Sequence, residues 1–444
     1  MPKQLTLIGR TADLEQVRRL AANGDCVSLV GVSNLGKSAL LRQLCDSTPS
    51  TAGTFVYVDC NQMGERTARA FFTSTWFAIA NAIQARKLSD QITGRVTALY
   101  GEMVHAASAE FVALHFDEGL TFALDNLSHP LVLYFDEFDE AYFHLEPQTF
   151  LNLRSLKDRY GDAIAYVTAT EREITRLSAN REQGEFLELI TPHVHFMHFM
   201  EPDDTRAFCL QYAAREHVTF SAADLAFIRD NADGHPGLAQ AVCIALGAVT
   251  GAPMRDAPQD RVIHQLVQQN LATDSTVRAE CEKIWDDLDP DERDTLLHLD
   301  RAADDSLALK SCRAKFIIRD GDDGPIIFSR LFADFVRRQH FKSHPQTRGV
   351  YIDVDASAVF VDGKPIEALT DLEYRLLMFL YGRIDRICDK FSIVESVWGE
   401  DYIDKVDDAR IEKLVSRVRA KIEPDAAKPR YLVSMRGRGY KLVR

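Results

Sequence analysis

At 444 residues the chain exceeds one ordinary core, and two to four domains are expected. Its 46% hydrophobic and 27% charged residues are those of a folded globular protein and exclude a disordered or low-complexity chain. The net charge of −14 excludes a body that binds nucleic acid throughout, yet residues 409–444 hold eleven Lys/Arg against three Asp/Glu, a local excess of +8.

Eight cysteines (26, 45, 60, 209, 243, 281, 312 and 388) are scattered with no C-x-x-C pair, which favours reduced thiols over a disulfide framework or zinc site. The first residues lack the apolar core of a signal peptide. The most apolar long window, Gly237 to Gly251, carries Gln240 and Thr250 and reads as a buried helix. A cytoplasmic location without membrane association is expected.

Leu14, Val17 and Leu20 give the stretch Ala12 to Ala22 helical spacing. Cys26 to Val30 then reads as a buried strand, and Gly31 to Ser38 spells G-x-x-x-x-G-K-S ahead of a helical run. The two glycines let the backbone curl, so that N–H groups around Asn34, Leu35, Gly36, Lys37, Ser38 and Ala39 converge on phosphate oxygens. Lys37 is positioned for the β- and γ-phosphates, and the Ser38 hydroxyl for Mg²⁺. ATP or ADP with Mg²⁺ is the expected ligand.

Thr54 to Asp59 reads as a second buried strand, and Thr67 to Ala85 and Ala107 to Asn126 as packing helices. Pro130 to Phe135 is an apolar strand running into Asp136 and Glu137, the Walker B pattern. Asp136 is expected to hold the Mg²⁺ shell and Glu137 to orient or deprotonate water, while Asp139 and Glu140 read as solvated or pairing charges. A further core strand ends at Thr168, Thr170 and Arg172, candidates for a γ-phosphate sensor, with helix capping by Thr170 the competing reading. His193, His195 and His198 follow in a fifth strand but share no face, which argues against a metal site.

Residues 203–271 have helical patterning, interrupted at Asp233 to Leu238 by a Gly-x-Pro turn. Residues 277–339 give helices and then a short hairpin whose turn, Asp320 to Gly324, is acidic and so unsuited to DNA. His340 to Gly349 reads as a linker.

Beyond it, Val359 to Ile366 forms a two-strand turn, and Thr370 with Glu373 makes a capping box. A helix follows from Phe391 to Trp398, another from Asp407 to Ile422, and a closing hairpin from Leu432 to Leu442. In the last helix Ile411, Leu414, Val415, Val418 and Ile422 make an apolar stripe beside the basic face of Arg410, Lys413, Arg417 and Lys421.

Two family resemblances follow. Gly9-Arg10 ahead of the phosphate loop resembles the entry segment of AAA+-related and STAND ATPases, which implies that Arg10 touches nucleotide. The Gly-x-Pro turn resembles the lid motif of STAND and origin-recognition ATPases, which implies that Pro236 packs on adenine. The last ~90 residues resemble the OmpR/PhoB-type output domain through L-T-x-x-E-x-x-L-L, Val397-Trp398-Gly399, Arg417 to Pro424 and Arg436 to Tyr440. That resemblance implies Arg410, Lys413, Arg417 and Arg419 at double-stranded DNA from a recognition helix, with Arg436 and Arg438 on a wing.

The expected architecture is multidomain α/β + α. A P-loop parallel-sheet ATPase core (1–200) precedes a helical lid (201–273), an internal winged helix (274–340), a linker (341–350) and a C-terminal winged helix-turn-helix (351–444). The implied function is a slow, nucleotide-controlled ATPase switch on DNA that self-associates with ATP and takes its signal from a possible protein partner. Its output would be transcription control or a defence assembly. A DNA-remodelling or loader ATPase, and a scaffold whose last module binds protein, are the alternatives.

Overall fold

The computed structural model describes residues 8–48, 52–86, 88–127, 130–176, 181–249, 257–271, 273–299, 302, 305–321, 324–343, 349–353, 358–399 and 406–443. The chain divides into two compact units, before and after residue 333, described in turn.

In the first unit, α1 (Thr11–Ala22) leads to β1 (Val27–Val30), α2 (Lys37–Ser47), β2 (Thr54–Asp59), α3 (Ala68–Ala85), α4 (Asp90–His105) and α5 (Ala109–Asn126). Then come β3 (Leu131–Asp136), α6 (Phe138–His144), α7 (Pro147–Tyr160), β4 (Ile164–Thr170), α8 (Arg181–Ile190) and β5 (Val194–Phe196). The strands form one parallel sheet in the order β2-β3-β4-β1-β5. β1, β3 and β4 are buried at every position, as their unbroken apolar runs require when helices cover both faces. Because the strands are parallel, the ends of β1, β3 and β4 bring the loops after residues 30, 136 and 170 to one edge.

Phe71, Phe72 and Trp76 of α3, Phe116 of α5, Phe135 of β3 and Phe150 of α7 belong to one buried core. Each such side chain stabilises the fold by about 1.5–3 kcal/mol. α4 lacked a sequence signal strong enough to place it; Ser89 caps it and its Val96 carbonyl accepts from the Trp76 indole at 3.1 Å. Asp139, expected in solvent or in an ion pair, is buried instead, where it accepts the Glu171 backbone N–H at 3.0 Å.

The helices α9 (Pro202–Glu216), α10 (Ala222–Ala232), α11 (Pro236–Val249) and α12 (Ala257–Leu271) follow. Next are α13 (Ser275–Asp286), α14 (Pro290–Leu297), α15 (Leu307–Ala314) and the antiparallel pair β6 (Ile318–Gly321) and β7 (Gly324–Ile327). The ring of Phe328, just after β7, lies tilted against those of Phe199 and His235, and Arg319 pairs with Asp233 at 2.7 Å, so the hairpin packs against the α10–α11 turn. α16 (Arg330–Ser343) spans the division between the units and runs past His340, where a linker was expected. Residues 344–348 of that expected linker lie outside the described residues.

The second unit contains β8 (Val350–Asp353), β9 (Ala358–Val361) and β10 (Lys364–Pro365) as an antiparallel sheet. Three helices, α17 (Asp371–Tyr381), α18 (Lys390–Trp398) and α19 (Asp408–Ile422), precede the hairpin of β11 (Leu432–Met435) and β12 (Gly439–Leu442). This is a winged helix. The Thr370–Glu373 capping box is present, with the Thr370 N–H on Glu373 at 3.0 Å. The apolar stripe of α19 is buried against Leu376, Leu380 and Val397. Gly439 is required for closeness: a Cβ there would stand 2.0 Å from the Cys388 carbonyl oxygen, and Cys388 exchanges backbone hydrogen bonds with Tyr440.

One buried ion pair secures α14 to the end of α15. Lys315 Nζ lies 2.7 Å from Glu292, whose other oxygen accepts Ser311 Oγ at 2.5 Å. Lys315→Met would strand the carboxylate and is expected to cost about 3–5 kcal/mol. Urea unfolding of the full chain measures this as a lower midpoint for the first transition, and a Lys315→Met/Glu292→Met pair should recover much of it.

Candidate functional site

The phosphate loop leaves β1 at Val30 and enters α2 at Lys37. Asn34 (φ 59°) and Gly36 (φ 99°) are left-handed, the alternation that turns successive N–H groups inward into a concave anion site. Leu35 is buried, and Ser38 and Ala39 are half-buried at the start of α2. Gly31 is tightly packed: a Cβ would meet Leu35 at 3.0 Å. This backbone, with Lys37 and the Ser38 hydroxyl, fits a nucleotide phosphate chain and its magnesium ion.

Lys37 is buried with its Nζ donating to the Gly31 carbonyl at 2.7 Å and 3.3 Å from Glu171. Burial opposes its charge, but Glu171, Asp287, Glu137 and Asp139 outweigh it and raise its pKa. Burial, Glu171 and Asp136 push the Glu137 carboxyl up to about 7, with Lys37 opposing. Asp139 is also driven upward by burial and Glu171, whereas Glu171, against its own burial, is held low by Asp139 and Lys37. Asp139 thus favours its neutral form and Glu171 its ionised form beside the lysine.

Asp136 ends β3 fully buried and accepts the Tyr57 hydroxyl at 2.5 Å, and Arg42 donates to the same hydroxyl at 2.9 Å. Neither Tyr57 nor Glu171 was singled out in the sequence. Both sit one strand away from the residues they serve, and no local motif marks them.

The sensor candidates diverge. Thr168 is fully buried, and its hydroxyl has no hydrogen-bond partner among the described residues. Thr170 Oγ1 donates to the Arg172 carbonyl at 2.7 Å, closing a local turn instead of capping a helix. Arg172 is bonded to the Asp286 carbonyl at the end of α13 at 2.6 Å. Arg10 also departs from expectation: it is buried and donates to the carbonyls of Leu35 (2.8 Å) and His198, so it braces the phosphate loop from behind. His195 bonds Asp13 at 2.7 Å.

α11 and α13 cover the loop. Asp287 accepts the Ser33 N–H at 2.5 Å and its hydroxyl at 3.1 Å, and Glu280 accepts the Asn34 amide at 2.6 Å. Pro236 opens α11 beside a cavity of about 330 Å³ that Asn34, Phe208, Gln240, Ile244 and Thr276 also line. A larger cavity of about 560 Å³, among α3, α5 and α7, holds none of the predicted residues.

On the second unit, Arg410, Lys413 and Arg417 are exposed along α19, and Arg436 and Arg438 at the tip of the β11–β12 hairpin. Arg419, half-buried, donates to the Leu432 carbonyl and to Ser434 Oγ, both at 2.8 Å, so it ties helix to hairpin. Lys421 similarly bonds Glu373 at 2.9 Å and the Ala368 carbonyl at 2.7 Å. Among the described residues, no helix is long and apolar enough to cross a membrane.

Residues 6–159 match the AAA ATPase domain family, and residues 363–442 the family of transcriptional regulatory protein C-terminal domains. The sensory transduction protein RegX3 of Mycolicibacterium smegmatis is 40% identical over 93 residues, 21% of this chain and 40% of that protein. The chain therefore spans about 40% of the length of the curated relatives it matches. Among solved structures, the Walker-type ATPase PABY2304 of Pyrococcus abyssi shares 14% identity at a TM-score of 0.48, over 74% of this chain and 96% of that one. The RstA DNA-binding domain of Klebsiella pneumoniae, solved with the RstA box, shares 24% identity at a TM-score of 0.20, over 21% of this chain and 91% of that one.

His235 joins the cover to the loop. Its Nδ1 accepts the Leu238 N–H at 3.2 Å, so the neutral ring carries its proton on Nε2, 3.1 Å from the Ser33 carbonyl. Burial lowers its pKa from 6.5 to about 4. Since the folded state binds this proton less readily than the unfolded chain, the stabilisation is complete above pH 6.5 and is lost as pH falls toward 4. The loss amounts to about 3 kcal/mol. Thermal unfolding across that range should show this decline, and His235→Gln should flatten it.

Proposed function

We propose that this chain, which joins an AAA ATPase domain to an OmpR/PhoB-type transcriptional-regulator domain, is a nucleotide-controlled regulator that binds double-stranded DNA. The observation that carries the reading is the convergence of Gly31–Ser38, Asp136 and Glu137 at one sheet edge, in a chain that also exposes Arg410, Lys413 and Arg417 on one helix.

Lys37, Ser38 and the loop N–H groups would hold the phosphates, and Ser38 with Asp136 a magnesium ion, which when bound polarises the terminal phosphoryl group. Tyr57 orients Asp136 through its hydroxyl. Glu137 would accept the proton of an attacking water, and its raised pKa leaves it able to do so near neutrality. Pro236 would wall the base. Arg410, Lys413 and Arg417 would enter a major groove, with Arg436 and Arg438 reaching an adjacent minor groove. Helices α9–α12 act as a lid and α13–α16 with the β6–β7 hairpin as a second winged module in a STAND-like switch. ATP would favour self-association, turnover would be slow, and a protein partner would supply the signal.

ATP binding and hydrolysis, with and without duplex DNA, test the reading. Lys37→Ala should weaken ATP binding about tenfold or more, and Glu137→Gln should retain binding while losing about a hundredfold or more in turnover. Fast turnover stimulated by DNA would favour a remodelling motor instead, and no ATP binding by the wild type would refute the proposal. Arg417→Ala and Arg436→Ala should each weaken DNA binding and lower its salt slope by about one. An unchanged slope in both would remove the proposed interface.

A further inference from the structure

Glu280 and Asp287 lie seven residues apart, two helical turns, so α13 and its C-cap present both carboxylates on one face. Both are more than nine-tenths buried, and both end on the phosphate loop, at Asn34 and Ser33. The Ser33 contact uses both a loop N–H and the side-chain hydroxyl. An anion-binding loop whose N–H already carries a carboxylate from its own chain is filled from within.

The turn that delivers Asp287 is held on two sides. From the end of β4, Arg172 donates to the Asp286 carbonyl at 2.6 Å, and Arg176 reaches Asp289 at 3.5 Å and the Leu307 carbonyl at 3.2 Å. From α14, Arg293 donates to the carbonyls of Trp285 (2.9 Å) and Asp286 (3.0 Å). Lys37, the buried cation of the loop, is already paired with Glu171, so little positive charge is left to hold Asp287 and a further anion together.

We propose that Asp287 discriminates nucleoside diphosphates from triphosphates by standing in for the terminal phosphate at Ser33. The closed arrangement accepts a diphosphate, and a triphosphate binds tightly only after α13 withdraws. This rests on the nucleotide-binding reading above and adds to it the residue that sets the preference. Withdrawal of α13 also frees the start of the segment, α13 to β7, that precedes the second unit in the chain. Triphosphate loading is thereby coupled to the state of that segment.

Calorimetric titration of the full chain with ADP and with the β,γ-imido analogue of ATP tests it, on wild type, Asp287→Asn and Asp287→Ala. Asparagine preserves size and acceptor, and alanine removes both, so the pair separates charge from packing. Both variants should tighten the analogue about tenfold or more while changing ADP less than about threefold, as relief of a like-charge contact requires. Parallel changes for the two ligands, or no change, overturn the inference while leaving nucleotide binding intact. If wild type and variants bind neither ligand, the nucleotide reading itself falls and the inference falls with it.

Discussion

The first unit turns on the burial of a single ammonium group. Lys37 sits out of water at the edge of a parallel sheet, and an ammonium there is tolerated only with anions around it. Glu171, Asp287, Glu137 and Asp139 supply them, drawn from the ends of β3 and β4 and from the cap of α13. The excess of acids is in turn relieved by the upward shift of Asp139 toward its neutral form and by hydrogen bonds from Tyr57 to Asp136 and from Ser33 to Asp287. The strand order β2-β3-β4-β1-β5 makes this possible, because it places the strands bearing Lys37's loop, Glu171 and Asp136 side by side.

That balance explains why several side chains have partners their spacing does not announce. Arg10 leans on the loop carbonyl of Leu35, and Arg172 reaches across to α13. Both are cations that hold backbone carbonyls, Arg10 from a buried position where it also pairs with Asp13.

What could be read from the sequence follows the range of the interactions involved. The phosphate loop was legible because its backbone conformation is dictated within eight residues, and glycines mark the turns. β1 to β4 are legible as apolar runs, β5 as an alternation of histidine and apolar residues, and the face of α19 through its period. The Thr370–Glu373 cap was legible for the same local reason. Glu171, Tyr57 and Asp287 were not, since each acquires its role only when distant segments, up to 254 positions apart for Ser33 and Asp287, come together. Asp139 reads as a solvated or pairing charge; the end of β4 closes over it, so it is not solvated but stands buried among the acids around Lys37. Arg419 shows the same limit within the second unit: in the helical period it lies across the apolar stripe of α19 from Arg410, Lys413 and Arg417, and only the fold reveals that Ser434 and the Leu432 carbonyl accept its hydrogen bonds.

The tie made by Arg419 has a mechanical meaning. It fixes the separation between α19 and the hairpin at one end, while the exchange between Cys388 and Tyr440 clamps the hairpin to the loop before α18. Two projections held on a common brace behave like the jaws of a set caliper. On the proposed reading, a duplex that meets both would have to bring its grooves to that spacing, so its bendability and groove width would enter the selection alongside its base edges.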